Sequence, residues 1–137
     1  MLVRVALIAL TLVAIPAAAQ AFPSEGEPWH LEVRAPGPPG TQRFARVVAE
    51  PEAGSGWWVT VTCGTVRART GKEAVDLRAR GHAAIGRGGQ LGGTWTPVGG
   101  GTTGGFSVDR PDDRLLDLPV TMAPPCPSGG GDLSTGD

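Results

Sequence analysis

The chain of 137 residues contains no asparagine, no tyrosine and a single lysine, Lys72. It has three isoleucines, two histidines and two cysteines. Without asparagine there is no acceptor for N-glycosylation. His30 and His82 stand at no ligand spacing from a cysteine or from each other, which leaves no zinc pattern. The glycine runs "GRGG" and "GGG" lack both the lysine and the strand–loop–helix setting of a nucleotide loop. Neither a metal nor another cofactor is expected, and the net charge of −1 gives no reason to expect nucleic acid as a partner.

Long hydrophobic runs are also scarce. The one at the N-terminus, "VALIALTLVAIP", follows the basic start "MLVR" and precedes the small residues "AAAQA". It is too short to span a bilayer comfortably, and no second run follows. This is the pattern of a secretory signal peptide over residues 1–21, cleaved after Ala19 or Ala21. The first cysteine is Cys63, so none lies near the cleavage site for lipid attachment. A soluble periplasmic or secreted protein of one domain follows as the expectation. The skew toward Ala, Gly, Pro and Arg tracks codon GC content and points to a GC-rich bacterial source.

Glycine and proline are abundant, 22 and 13 residues. That is close to a low-complexity composition, yet the middle of the chain alternates apolar and polar residues. "WHLEVR" sets Trp29, Leu31 and Val33 against His30, Glu32 and Arg34. "RFARVVAE" reads as a second strand, and "PEAGSG" as the turn before "GWWVTVTCG". There Trp57, Val59, Val61 and Cys63 share one face, while Trp58, Thr60 and Thr62 share the other. After Gly64 the apolar phase moves to Val66 and Ala68, the mark of a bulge or sharp bend.

"TGKE" (70–73) has the form of a helix capping box, so a helix over the following residues competes with a strand. Val75, Leu77, Ala79, Ala83 and Ile85 all fall on odd positions, which align at 180° per residue and scatter at 100°. Gly81 further penalises a helix. The strand over 74–85 is preferred, with Leu77 and Ala79 inward and Arg78 and Arg80 outward.

"LGGTWTPV", "FSVD" and "LLDLPVTM" supply the remaining strands, separated by "GGGTTGG" and "RPDDR". The expected fold is all-β: a small antiparallel sandwich or barrel of about eight short strands over residues 22–126. Residues 127–137 are glycine-rich and without periodicity, and are expected to form a disordered tail.

Cys63 and Cys126, in an oxidising compartment and outside any C-x-x-C motif, are expected to pair. The bridge would close a loop of about 60 residues, worth roughly 4 kcal/mol on the chain-entropy model. No catalytic constellation stands out. Ser55 lacks the G-x-S-x-G frame, and Glu50, Glu52 and Asp76 have no spacing that recommends them as an acid–base pair. "DRPDDR", with Asp112 and Asp113, matches no calcium loop.

Charge is unevenly spread. Nine basic and four acidic residues lie between Arg34 and Arg87, whereas six acidic and two basic residues follow from Asp109 onward. A hairpin centred on "TGKE" would set Arg67 near Arg78 and Arg69 near Asp76. Together with an outward Trp58, these make an arginine-rich stripe with an aromatic anchor. Guanidinium groups give multidentate contacts to carboxylate, phosphate or sulfate, and an exposed indole stacks on a sugar or anchors a protein interface. The expected function is therefore non-catalytic: an exported β domain binding another macromolecule through Trp58, Arg67, Arg69, Arg78 and Arg80. Two alternatives accompany it. One is an inhibitor of a secreted protease or lysozyme acting through "GGGTTGG" or "APGPPG"; the other is a binder of envelope glycan or another anionic polymer.

Overall fold

The computed structural model describes residues 23–110 and 114–135. The proposed leader at 1–21 and the Asp112/Asp113 turn lie outside the described residues. Eight strands follow in order: β1 (Trp29–Pro36), β2 (Thr41–Pro51), β3 (Trp57–Arg67), β4 (Glu73–Ile85), β5 (Leu91–Pro97), β6 (Gly104–Val108), β7 (Leu118–Met122) and β8 (Gly129–Thr135). Each pairs antiparallel with the next, and β8 returns to pair with β1, closing a barrel. Closure removes the unpaired edges that an open sheet would leave. Among the described residues no helix is long and apolar enough to cross a membrane.

Period-two alternation decides what enters the lumen. Trp29, Leu31 and Val33 of β1, Ala45, Val47 and Ala49 of β2, and Trp57, Val59, Val61 and Cys63 of β3 all join one buried cluster. Four aromatic rings fill one stretch of it. Trp29 meets Trp57 edge-on at 5.8 Å between centroids and Phe106 at 6.4 Å, and Trp95 stacks on Phe106 at 6.4 Å. The glycines of β5 and β6 make that filling possible. A Cβ on Gly104 would lie 2.7 Å from the Trp95 ring, and one on Gly93 would lie 2.8 Å from the Phe106 ring. Large rings and missing side chains complement each other across the lumen.

β4 is a strand, as its odd-position pattern predicts. Ala79 is buried, Leu77 packs partly buried against the core, and Arg78 and Arg80 are exposed. The phase change at Gly64 is a β-bulge: Cys63 faces Leu77, Gly64 faces Val75, and Asp76 is left over. A side chain at position 64 would collide with the Ala74 carbonyl, so glycine is required where the two backbones close. Residues after Gly64 do not start a new strand; β3 runs on to Arg67.

The C-terminal stretch departs from its expected disorder. Residues 129–135 form β8, bonded to β7 on one side and β1 on the other. Its alternation is hidden because two of its inward positions, Gly129 and Gly131, carry no side chain. The space is already taken: a Cβ on Gly131 would meet Val120 at 2.7 Å and Leu31 at 3.1 Å. Leu133 is the inward residue that shows. The domain therefore extends past residue 126, and the expected boundary there is corrected. "LLDLPVTM" is shortened at its start, since β7 begins at Leu118 while Leu115 and Leu116 are exposed.

Cys63 and Cys126 form a disulfide with Cα atoms 5.3 Å apart. It ties the inward face of β3 to the β7–β8 connection. Arg43 Nη2 donates to the Pro125 carbonyl at 2.8 Å, holding the same connection from β2. At the opposite end of the barrel, Trp57 Nε1 donates to the Glu27 carbonyl at 2.7 Å, and Gly56 N donates to Glu25 Oε1 at 3.0 Å. The segment before β1 thus covers the end that holds the Trp29–Trp57 pair.

Candidate functional site: the outer wall of β3, β4 and β5

The alternation that sends Trp57 inward sends Trp58 out. Trp57 is fully buried and Trp58 is 53% exposed, the exposed member of the four tryptophans. Register then decides its neighbours. Trp58 lies opposite His82 of β4, which lies opposite Thr94 of β5. One step along, Thr60, Arg80 and Thr96 form the next row, and Thr62 faces Arg78. On its other side Trp58 lies opposite Glu50 of β2, and the threonines of the surrounding rows are small.

The indole is held in place. Its centroid lies 4.0 Å from that of the His82 imidazole, with the planes inclined at 43°. His82 Nδ1 lies 3.0 Å from Glu52 Oε1, on the turn between β2 and β3. An ionised carboxylate only accepts, so Nδ1 carries the proton in this contact and Nε2 is turned away from Glu52. Glu52 is placed by the turn itself, whose backbone closes through Glu52 N donating to the Gly56 carbonyl at 3.0 Å. A chain of contacts from turn to carboxylate to imidazole to indole thus orients Trp58. Among the described residues no hydrogen bond joins His82 to a hydroxyl.

Beside the indole runs a shallow groove of about 400 Å³, lined by Trp58, Arg80, Gly81, His82, Thr94, Trp95, Thr96 and Thr103. Its polar groups are a guanidinium, an imidazole and three threonine hydroxyls. Arg78 and Arg80 have no ion-pair partner among the described residues. The arginines of the neighbouring wall differ. Arg34 pairs with Glu32 at 3.2 Å, and Arg46 lies 2.9 Å from Glu73 and 3.6 Å from Glu32. The hydrogen bond from Arg46 holds the Glu73 carboxyl below its ordinary pKa, and the same bond raises that of Arg46. Arg46 also lies over the ring of Phe44, its Cζ 5.0 Å from the centroid; Phe44 alternates away from the lumen and is nonetheless fully buried. The β1–β2 wall is internally neutralised, whereas the β4 cations remain available to a ligand.

The five residues expected to share a stripe divide into two groups. Trp58, Arg78 and Arg80 come together on the wall. Arg67 ends β3 opposite Thr41, and Arg69 sits in the turn beyond it. The expected neighbours Arg67/Arg78 and Arg69/Asp76 do not form, because the turn closes earlier. Arg67 N donates to the Lys72 carbonyl and Gly71 N to the Arg67 carbonyl, so Val66 faces Glu73. The bulge at Asp76 shifts the register by one residue, which is not enough to restore the expected pairs. Thr94 and Thr96 are wall residues outside the expected stripe, and His82 and Glu52, weighed from the sequence only as a metal ligand and an acid–base candidate, belong to it as well. His82 carried a signal, as the next outward position after Arg80 in the alternating series.

Among the described residues no three histidine, cysteine, aspartate or glutamate side chains gather as metal ligands. Comparison with protein families, curated proteins and solved structures finds no match to this chain.

Proposed function

We propose that the protein is an exported, non-catalytic binding module that takes up another macromolecule on the outer wall of β3–β5, and that its ligand is an anionic glycan of the cell envelope. The observation that carries this reading is Trp58: a half-exposed indole near the start of β3, braced by His82 and Glu52. Leaving a large aromatic in water forgoes about 1.5–3 kcal/mol of burial, which a ligand can recover. A sugar ring offers a C–H face to the indole and a rim of hydroxyls to Thr94, Thr96 and Arg80. Acidic sugars add a carboxylate or sulfate suited to the unpaired guanidinium groups of Arg78 and Arg80. The groove is shallow, which suits a polymer lying across the wall better than a small molecule enclosed in it. Export is supported by the apolar N-terminus and by the disulfide.

Trp58 also furnishes the test. The other three tryptophans are buried, so collisional quenching by acrylamide reads Trp58. Polygalacturonate should protect the fluorescence from quenching, more weakly as salt rises, while neutral dextran should protect it less. No protection by either polymer would refute the glycan reading. A second reading rests on Val98, 61% exposed at the entry to the 99–103 loop: an inhibitor that presents this loop to a protease or lysozyme. It predicts inhibition abolished by Val98→Asp and indifferent to Trp58→Ala.

A further inference from the structure

We infer that the barrel mouth between the β1–β2 and β3–β4 turns is a second binding site, for a phosphate group. Two clefts, of about 550 and 510 Å³, open there and share Thr41, Arg67 and Thr70. Arg69 lines the first and Lys72 the second. Arg67, Arg69 and Lys72 have no ion-pair partner among the described residues. The one carboxylate on the cleft walls, Glu73, is engaged by Arg46 at 2.9 Å and is not spent on these cations.

The backbone that carries them is tied on both sides. Arg67 N donates to the Lys72 carbonyl at 2.9 Å, Gly71 N to the Arg67 carbonyl at 2.8 Å, and Ala68 N to the Gly40 carbonyl at 3.0 Å. Lys72 N donates to Thr70 Oγ1 at 3.2 Å. Gly40 and Gly71 both hold positive φ, +79° and +73°, which fixes the two turns that meet at the mouth. Two guanidinium groups and an ammonium on such a frame match a doubly charged anion with several acceptor oxygens better than a single carboxylate. Mouths of β-barrels are, in addition, common places for ligands to enter. The site shares no lining residue with the Trp58 groove and stands or falls independently of it.

A phosphate of this kind comes from a soluble phosphorylated ligand or from a phospholipid headgroup, and the experiment separates them. Inorganic pyrophosphate is titrated calorimetrically into the mature protein, and vesicles of phosphatidylglycerol with phosphatidylcholine are tested by co-sedimentation against pure phosphatidylcholine. Each is repeated with R67Q/R69Q and with R78Q/R80Q. The expected result is binding in at least one arm that weakens with salt, falls roughly tenfold or more in R67Q/R69Q, and is retained in R78Q/R80Q. Pyrophosphate binding identifies a soluble phosphate, and binding confined to anionic vesicles identifies the headgroup. Absence of binding in both arms, or equal losses in the two double variants, overturns the proposal. All four arginines are exposed, so matched melting curves will show that the variants are folded.

Discussion

The two sides of β3, β4 and β5 are built from the same strands and obey opposite rules. Toward the lumen, Trp57, Val61, Ala79 and Trp95 are packed to contact, and glycines stand where rings need room. Toward solvent, threonines, arginines, Glu50 and His82 surround one indole that stays half-exposed. The lumen face has no slack and sets stability. The outer face leaves Trp58 half in water, so its one large aromatic calls for a different explanation. Alternation alone sets adjacent identical residues, Trp57 and Trp58, on opposite faces of the wall, one buried and one half-exposed.

The sharpest way to break this comparison is to truncate the inner ring. Trp57→Ala should cost about 3–5 kcal/mol, a large share of the stability of a small domain, and thermal unfolding will show it. A mild effect would mean that the lumen is loosely filled. Removing the disulfide with Cys63→Ala and Cys126→Ala together should cost roughly 2–5 kcal/mol, since it frees the β7–β8 connection. Denaturant unfolding of this variant, compared with wild type under non-reducing conditions, measures that. Gly104→Ala should cost about 1–3 kcal/mol by driving a methyl group into the Trp95 ring; an unchanged midpoint would show that the ring can move aside.

The smallest effect is expected at the Arg46–Glu73 pair on the neighbouring wall. The folded-state pKa of Glu73 is lowered by Arg46, so the pair contributes stability above the ordinary glutamate value of 4.5 and loses it as pH falls through the lowered pKa. Both side chains are more than one-third exposed, which limits the contribution to well under about 1 kcal/mol. Comparing Glu73→Gln with wild type across pH 3–6 (about the range in which a carboxylate titrates) should show a small gap at the upper end that closes at the lower.

What the sequence makes legible is local. Alternation separates Trp57 from Trp58 and assigns β4 as a strand, because period two is written in consecutive residues. The phase change at Gly64 marks the bulge for the same reason. Register is not local: it depends on where the β3–β4 turn closes, and a closure between Arg67 and Lys72 brings His82 rather than an arginine beside Trp58. Closure of the barrel depends on β8 meeting β1, and two of the inward positions of β8 are glycines that erase its pattern. The Glu52–His82–Trp58 brace joins a turn and two strands, so no single stretch of sequence displays it.

If, as we propose, the outer wall binds a glycan, the most direct test is the affinity of Trp58→Ala for polygalacturonate, measured beside its melting temperature. The expected result is a stability change of no more than about 1 kcal/mol and a loss of affinity of roughly tenfold or more. Full affinity in a variant that remains folded would contradict it, as would a variant that unfolds as badly as Trp57→Ala, since Trp58 would then belong to the core.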